Sequence, residues 1–340
     1  MKLELSQIKE ITLGASRVEE TNDGIQFFRF SKEQEDAYEK YRESFYFPRT
    51  FGTAGIKLSF RTNSESLFLK TDVSGAGVKK YFSFDIFVNG KMVDSLCNFN
   101  EKEIPDDYKF LDYEVGEFSK KFYLGAGEKD VCIHFPWAVK AILKDLELDD
   151  NAFIKPVKPK KKMICFGDSI THGADALYSS RRYPAQLADF FDAEEFNKAI
   201  CGDYFFPELA AVKEEIEPDY ITVAYGTNDW SRCTKDEFTH NCKEFYRNLS
   251  ENYPNAKIFA LAPIWRKEMH EERKFGAFED IAKIMKSLVE EFDNVTFLDG
   301  FNFVPHREVY FADLTLHPTN EGFDEYFKNL SKEMLSAIEG

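Results

Sequence analysis

The chain has 340 residues and a mass of 39.5 kDa, which is more than one compact core usually holds, so we expect two domains. The chain contains 44 Lys and Arg residues and 60 Asp and Glu residues. The resulting net charge of −16 repels nucleic acids and anionic membrane surfaces. Hydrophobic residues make up 43% of the chain and charged residues 31%, a composition that excludes wholesale disorder.

The start of the chain and its cysteines restrict its location and its chemistry. Residues Met1–Ile8 lack the basic and apolar stretches of a secretory signal, which predicts a cytoplasmic protein. No apolar run reaches the roughly 18 residues that a membrane-spanning helix needs. The six cysteines include no C-x-x-C pair and no histidine motif has metal-ligand spacing, so we expect free thiols and neither a metal nor another cofactor.

The N-terminal part, residues 1–150, consists of short segments in which apolar and polar residues alternate. This period of two predicts β-strands, and Asn89-Gly90 has the composition of a hairpin turn. We expect an antiparallel β-sandwich with a jelly-roll-like layout, interrupted near its start by a helix or ordered loop at Ser31–Glu43. The clearest alternating segments are Ile56–Phe60, Leu67–Thr71, Phe82–Val88 and Val131–Phe135.

A second domain is predicted over residues 160–340. It follows a connector, Asp149–Lys162, in which two prolines and a lysine cluster oppose regular structure. Beyond it, apolar runs and helical stretches alternate five times, which predicts an α/β domain with a five-stranded parallel sheet between two layers of helices. The apolar runs lie at 163–166, 196–200, 220–225, 258–261 and 295–298, and the helical stretches at 184–191, 207–217, 235–253, 270–292 and 320–338.

Chemically capable residues follow these predicted strands, where the ligand site of such a sheet lies. A serine hydroxyl acts as a nucleophile near neutral pH when a base, a group that orients the base, and donors for the oxyanion surround it. Ser169 is the candidate nucleophile, His317 the candidate base and Asp313 the candidate orienting carboxylate. The backbone N–H groups of Ser169 and Gly202 and the side-chain amide of Asn228 are the candidate oxyanion donors.

Four sequence blocks in this order resemble the SGNH (GDSL-type) hydrolase family. They are Gly167-Asp168-Ser169, the segment ending in Cys201-Gly202, Gly226-Thr227-Asn228-Asp229, and the segment from Asp313 to His317-Pro318. The resemblance covers roughly Lys162 to Ile338. It implies a flavodoxin-like three-layer α/β/α fold and hydrolysis of a carboxylic ester through an acyl-enzyme on Ser169, with Gly202 and Asn228 in the oxyanion hole and His317 as the base.

The last block departs from the family pattern, which places its Asp three residues before the His. That position is Leu314 here, and Asp313 lies four residues before His317. Either the loop bulges by one residue and Asp313 still orients His317, or a backbone carbonyl holds the base and the site is a dyad. The second block has Ala199 where the family prefers Gly, which leaves the donor at Gly202 unchanged.

Several side chains near these blocks are candidate substrate contacts. Aromatic faces at the mouth of a pocket can stack on sugars or bind acyl chains. His172 is a candidate to line the site, although a solvated loop histidine is the more common case. The other candidate substrate contacts are Asp168, Tyr204, Trp230, Trp265 and Arg266.

The order of a sandwich, a connector and an SGNH domain resembles carbohydrate esterases of family 2. That resemblance implies removal of O-acetyl groups from acetylated oligosaccharides, with a small-molecule substrate and no nucleic acid or membrane partner, and it is compatible with a homo-oligomer. Two alternatives stay open. One is a broad short-chain esterase or lysophospholipase with the same chemistry, and the other is a non-catalytic carbohydrate-binding protein with a degenerate hydrolase domain.

Overall fold

The structure is a computed structural model in which residues 1–100 and 113–339 are described. Two antiparallel sheets come first along the chain, and a parallel sheet with helices on both faces follows. This arrangement confirms the predicted fold class. None of the helices within the described ranges is both long and apolar enough to cross a membrane.

The antiparallel part forms a sandwich whose two sheets share one hydrophobic cluster. That cluster contains Leu58 and Val131 from one sheet and Leu69 and Ala141 from the other, all of them buried. The described elements are α1 (Leu5–Ile11), β1 (Thr12–Leu13), β2 (Arg17–Thr21), β3 (Gly24–Phe28), α2 (Lys32–Tyr41), β4 (Lys57–Thr62), β5 (Ser66–Gly75), β6 (Ser83–Val88), β7 (Lys91–Cys97), β8 (Gly116–Tyr123), β9 (Lys129–His134), β10 (Val139–Leu148) and β11 (Ile154–Pro156). One sheet has the order β1-β4-β9-β6-β7, with β11 against β4, and the other β2-β3-β10-β5-β8.

The predicted connector is more ordered than its composition indicates. Strand β11 pairs antiparallel with β4, with Pro156 opposite Phe60. A proline is tolerated here because β11 lies outside the main strand path, where its missing N–H breaks no central ladder. The expectation of an irregular segment over Asp149–Lys162 was therefore wrong for these three residues, and also for Lys161 and Lys162, which begin the first strand of the parallel sheet.

The parallel part follows the predicted alternation of strands and helices. Its described elements are β12 (Lys161–Gly167), α3 (Ser169–His172), α4 (Tyr183–Phe190), β13 (Ala193–Asn197), α5 (Pro207–Ala211), β14 (Tyr220–Ala224), α6 (Thr227–Arg232), α7 (Lys235–Asn252), β15 (Lys257–Leu261), α8 (Asp280–Val289), β16 (Val295–Leu298) and α9 (Asn320–Glu339). The strand order is β13-β12-β14-β15-β16, with all neighbours parallel. Alternate residues of β12 enter different cores: Ile164 and Phe166 enter one cluster, and Met163 and Cys165 enter the other.

Two helices are shorter than their sequence pattern indicates. The pattern predicts a helix over 207–217, but α5 ends at Ala211 because the chain then turns to bring Glu214 onto the buried Lys198, 2.7 Å away. The pattern also predicts a helix from residue 270, but α8 begins at Asp280, after Gly276 adopts a φ of +106° that a helix does not allow.

Side chains of the N-terminal part also complete a core of the parallel part. Phe30, Ala37, Tyr38 and Tyr46 belong to the same buried cluster as Phe166. Helix α2 carries two of them, and it starts from a capping box in which Ser31 accepts a hydrogen bond from the N–H of Gln34. The two parts are therefore joined by a buried apolar interface that lies next to the ends of β12 and β13.

Candidate active site

Ser169 lies at the first residue of helix α3, directly after strand β12. The Asp168 side chain caps this helix by accepting the N–H of Ile170 at 2.9 Å. A Cβ at Gly167 would lie 2.2 Å from Thr171 Oγ1, so only glycine allows the helix to fold back this closely over the strand end. The turn therefore presents Ser169 at the carboxyl edge of the sheet, where it is 5% exposed.

A chain of hydrogen bonds connects Ser169, His317 and Asp313. Ser169 Oγ lies 2.8 Å from His317 Nε2, and His317 Nδ1 lies 2.8 Å from Asp313 Oδ2. The buried Asp175 contributes a second carboxylate 3.6 Å from the same Nδ1. The oxygen and nitrogen atoms of Asp175, Asp313 and His317 lie close enough together to hold a metal ion, but both ring nitrogens of His317 already face a partner. We interpret the group as a hydrogen-bonded triad.

The extra residue between Asp313 and His317 is accommodated by a left-handed turn. Leu314 has a φ of +61° and leaves its side chain 48% exposed. Such a conformation costs a non-glycine residue about 1–2 kcal/mol. Asp313 Oδ1 offsets this cost by accepting three backbone N–H groups, those of Thr315, Leu316 and His317, at 2.7–3.1 Å. Of the two arrangements open from the sequence, the structure has the one in which Asp313 contacts His317.

The pKa values of this pair follow from burial opposed by the hydrogen bonds. Burial raises the pKa of Asp313, but the hydrogen bond and charge of His317 and the N–H groups of Leu316 and Thr315 hold it well below its usual value. Burial lowers the pKa of His317, but the hydrogen bond to Asp313 and the charges of Asp175 and Asp313 raise it above 6.5 overall. The charged form of Asp313 is therefore the one that orients the imidazole.

The segment that contains Gly202 lies against the turn that carries Ser169, since the N–H of Ile200 donates to Gly167 O at 3.2 Å. Within the described residues, the backbone N–H groups of Ser169 and Gly202 donate to no protein acceptor. Asn228 Nδ2 donates one hydrogen to the carbonyl of Asp203 at 2.8 Å, which leaves its second hydrogen for a ligand. Asp229 ties two of the loops together, since its carboxylate accepts the N–H groups of both Phe205 and Gly226.

Side chains from the N-terminal part hold the carbonyl groups of the segment that contains Gly202. We call residues 199–205 the Gly202 loop. Its carbonyls accept hydrogen bonds from Arg29 (Ala199 O, 3.0 Å), Arg49 (Cys201 O, 2.5 Å), Tyr46 (Gly202 O, 2.9 Å) and Arg42 (Tyr204 O, 2.8 Å, and Phe205 O, 3.3 Å). With these carbonyls fixed toward the sandwich, the N–H of Gly202 is fixed as well, because the peptide units are planar.

Charged contacts strengthen the same interface. Arg42 forms a buried ion pair with Asp203 at 3.0 Å, and Tyr38 donates its hydroxyl hydrogen to the other oxygen of that carboxylate at 2.8 Å. His172 is wholly buried at the interface, and its Nδ1 accepts the N–H of Cys201 at 3.2 Å. Burial and the neighbouring arginines lower the pKa of His172 well below 6.5, so the ring is neutral. His172 is therefore neither solvated nor available to a ligand.

Three of the predicted substrate contacts are buried instead. Trp230 is 0% exposed and donates its Nε1 hydrogen to Gly276 O, so the prediction for this residue was wrong. Asn228 and Trp230 lie two residues apart on α6, a spacing that directs their side chains to different faces of a helix. Arg266 is nearly buried and donates to Thr227 and Glu268, and Asp168 is occupied by its capping bond. Both are engaged by other protein groups, and their roles as substrate contacts stay predictions.

Tyr204 and Trp265 keep exposed surface near the site. Tyr204 belongs to the Gly202 loop, and the Arg42 guanidinium lies 3.7 Å from the centre of its ring. Trp265 stacks on His306 at 5.5 Å between ring centres, and the backbone N–H of the nearby Lys267 donates to Thr315 O in the His317 loop. Both remain candidate substrate contacts.

Sequence reasoning missed the residues that hold the Gly202 loop. They lie 150 or more residues before it, and only the packing of the two parts brings them together. The one sequence signal is the aromatic and basic stretch Phe45-Tyr46-Phe47-Pro48-Arg49, which is unusual just before a sandwich strand. That signal indicates a contact surface but not the partner of each side chain.

Comparison with known proteins agrees with this geometry. Residues 165–324 match the GDSL-like Lipase/Acylhydrolase family, an esterase-type hydrolase family. No curated protein sequence matches the chain.

Several solved structures share the fold over almost the whole chain. The salicylyl-acyltransferase SsfX3 from a tetracycline biosynthetic pathway has a TM-score of 0.79 at 22% identity, covering 96% of this chain and 94% of that one. A GDSL-like lipase candidate from Bacteroides ovatus has a TM-score of 0.76 at 19% identity, covering 100% and 98%. A family two carbohydrate esterase from Cellvibrio japonicus has a TM-score of 0.68 at 14% identity, covering 100% and 98%. At these identities the likeness shows the fold.

We predict that the His317 pKa lies above 6.5 and falls when Asp313 is replaced by Asn. The Asp313→Asn change keeps the side-chain shape but removes the negative charge beside Nδ1, so the imidazolium loses stabilisation. NMR titration of the His317 ring in both proteins measures the shift, with the exposed His270 as an internal reference. An unchanged or higher His317 pKa in the variant would contradict the assignment.

Proposed function

Because residues 165–324 match the GDSL-like lipase/acylhydrolase family, we propose that the protein is a serine ester hydrolase that removes O-acetyl groups from acetylated oligosaccharides. The observation that carries the proposal is the hydrogen-bonded chain from Ser169 through His317 to Asp313, together with the unengaged N–H of Gly202 on the neighbouring loop. This arrangement has the parts that ester cleavage by a serine requires: a nucleophile, an oriented base and oxyanion donors.

The proposed reaction passes through an acetyl-enzyme. Ser169 Oγ attacks the ester carbonyl carbon while its proton moves to His317 Nε2, and Asp313 stabilises the imidazolium that forms. The tetrahedral intermediate then expels the sugar oxygen, which takes that proton from His317. A water molecule, deprotonated by His317, attacks the acetyl group, and acetate leaves as Ser169 regains its proton. Since His317 must be neutral to accept a proton, activity falls as the pH drops through its raised pKa.

The oxyanion of both tetrahedral intermediates would be bound by the N–H groups of Ser169 and Gly202 and by Asn228 Nδ2. Removing one such donor typically costs about 3–4 kcal/mol of barrier. The hydrogen bond from Asn228 to Asp203 O fixes the rotamer of the amide, so its second hydrogen needs no reorganisation when the charge develops. Hydrogen bonds from sandwich side chains to the carbonyls of the Gly202 loop likewise fix the Gly202 N–H before the charge develops.

Support for a sugar as the alcohol comes from the surface around the Gly202 loop. Phe45 is 41% exposed and Tyr204 is half-buried, and such aromatic faces suit the apolar faces of sugar rings. A family two carbohydrate esterase and an acetyl xylan esterase from Butyrivibrio proteoclasticus share the two-part fold over 100% of this chain. SsfX3 is named as an acyltransferase, in which an acceptor takes the place of water. The side chain of His317 is 24% exposed, so the base is accessible to the water that hydrolysis requires.

We predict that Ser169→Ala lowers acetate release from acetylated xylo- and manno-oligosaccharides by about 10⁴-fold or more, because the nucleophile is lost. Ser74→Ala, which alters an exposed serine on a sandwich strand, is the matched control and retains full activity. Acetate release from the oligosaccharides is measured by an enzyme-coupled assay, and hydrolysis of a chromogenic acetyl ester is measured in parallel. Equal rates for Ser169→Ala and wild type would reject the proposal, and activity on the chromogenic ester alone would reject the sugar substrate.

We also predict that Tyr46→Phe lowers kcat about fivefold without raising KM. The change removes the hydroxyl that holds Gly202 O, so the Gly202–Asp203 peptide is freed and the adjoining Gly202 N–H becomes less well aimed in the transition state, while the ring stays packed. Tyr41→Phe, at a 52% exposed tyrosine on α2, is the control. An effect on KM alone, or equal effects of the two variants, would contradict a positioning role for Tyr46.

A further inference from the structure

Two guanidinium groups flank the face of Gly202. The position that a Cβ would occupy on Gly202 lies 3.2 Å from Arg49 Nη1 and 4.0 Å from Arg232 Nη2. Arg49 comes from the sandwich and Arg232 from the end of helix α6, so the two charges reach Gly202 from different parts of the chain. A ligand bound by the N–H of Gly202 therefore lies within reach of both.

Arg232 has no protein partner for its charge. Among residues 1–100 and 113–339 it forms no ion pair and donates no hydrogen bond, and the closest ring is that of Tyr204, with its centre 5.8 Å from Arg232 Cζ. Among the described residues the exposed Arg307 also forms no ion pair, but several other surface arginines of this acidic chain are paired with carboxylates. Examples are Arg61 with Asp130, Arg181 with Asp324 and Arg247 with Glu244.

Arg49 is engaged only by neutral oxygens. Its Nε donates to Gly77 O at 3.1 Å and its Nη1 to Cys201 O, and within the described part of the chain no carboxylate lies within ion-pair distance of its guanidinium. Neither arginine therefore forms an ion pair with a carboxylate in the described part of the chain, although the charge of Arg232 acts to lower the pKa of the buried Asp203.

The acidic groups nearest to the pair are occupied or too distant. Asp203 is fully buried and already paired with Arg42 at 3.0 Å. Glu43 is near enough to raise the pKa values of Tyr46 and Tyr204, but it forms no ion pair with Arg49 or Arg232. In a protein of net charge −16, this leaves a local positive site at the oxyanion glycine.

We infer that the substrate carries a carboxylate close to the scissile ester and that Arg232, assisted by Arg49, binds it. This inference rests on the proposed ester hydrolysis and names the substrate class of the same site. A guanidinium pairs with the two oxygens of a carboxylate through parallel N–H groups, and a neutral acetylated sugar offers no such partner. The aromatic rings of Phe45 and Tyr204, each beside one of the arginines, would contact the carbon framework that carries the acid.

The carboxylate could belong to either side of the ester. It would lie on the alcohol in an acetylated uronic acid unit, and on the acyl group in the half-ester of a dicarboxylic acid. Two pairs of compounds distinguish these sources. O-acetylated methyl glucuronoside is compared with O-acetylated methyl glucoside, and a 4-nitrophenyl hemisuccinate is compared with 4-nitrophenyl butyrate.

The first experiment measures kcat/KM on these four esters for wild type, Arg232→Gln and the control Arg247→Gln. We expect wild type to prefer the carboxylate-bearing member of one pair by about tenfold, a preference that Arg232→Gln abolishes and that 0.5 M salt reduces. The Arg247→Gln variant keeps the wild-type ratio. A wild-type preference for the neutral member of both pairs, or the same ratio in wild type and Arg232→Gln, would overturn the inference.

A binding experiment separates this inference from the proposed function. Methyl glucuronoside, methyl glucoside and monomethyl succinate are titrated into Ser169→Ala and into Ser169→Ala/Arg232→Gln by calorimetry. We expect one of the two acids to bind Ser169→Ala about tenfold more tightly than the neutral sugar and to lose that advantage in the double variant. If no ester is hydrolysed, the proposed function fails and this titration still decides the inference. Binding of neither acid would reject it.

Discussion

The buried guanidinium of Arg29 joins the sandwich to the sheet edge on which the proposed chemistry depends. It donates to five oxygen atoms: Gly52 O and Arg49 O in the sandwich, and Asn197 O, Asn197 Oδ1 and Ala199 O at the end of β13. A buried charge without such partners would cost several kcal/mol, so the two parts of the chain are held at one relative position. Burial lowers the pKa of Arg29 to about 9, which still leaves the guanidinium charged near neutral pH.

That fixed position explains why one site needs both parts of the chain. Strand β13 ends at Asn197, and the carbonyls beyond it bond to the sandwich rather than to a neighbouring strand. The sheet alone supplies Ser169, His317 and Asn228, but the direction of the Gly202 N–H depends on Arg29, Tyr46 and Arg49. We therefore propose that the sandwich is part of the catalytic centre.

Local sequence was sufficient to predict the parallel sheet and the residues at its strand ends. The apolar runs differ from the observed strands by a few residues. Ser169, His317 and Asp313 follow strands of the sheet in the sequence, and they are hydrogen-bonded to one another at its edge. The displaced Asp313 could not be resolved from sequence, because the answer depends on Leu314 adopting a left-handed conformation that leucine rarely adopts. The prediction for Trp230 was wrong because residues close to Asn228 along the chain do not all share its helix face.

The contacts between the two parts could not be predicted from the sequence. A hydrogen bond from Tyr46 to Gly202 O joins residues 156 positions apart, and it exists only once two separately folded cores meet. The sequence also does not show that Arg232 lacks an ion pair, because an acidic chain contains many Asp and Glu residues that could pair with any arginine.

We propose that the Gly202 loop, held by the sandwich, forms one wall of an oxyanion hole beside Ser169. A crystal structure of the protein treated with an alkyl phosphonate ester, a mimic of the tetrahedral intermediate, would test this arrangement. We expect phosphorus bonded to Ser169 Oγ and its phosphoryl oxygen about 3 Å from the N–H groups of Ser169 and Gly202 and from Asn228 Nδ2. A phosphoryl oxygen directed away from Gly202, or modification of a residue other than Ser169, would contradict it.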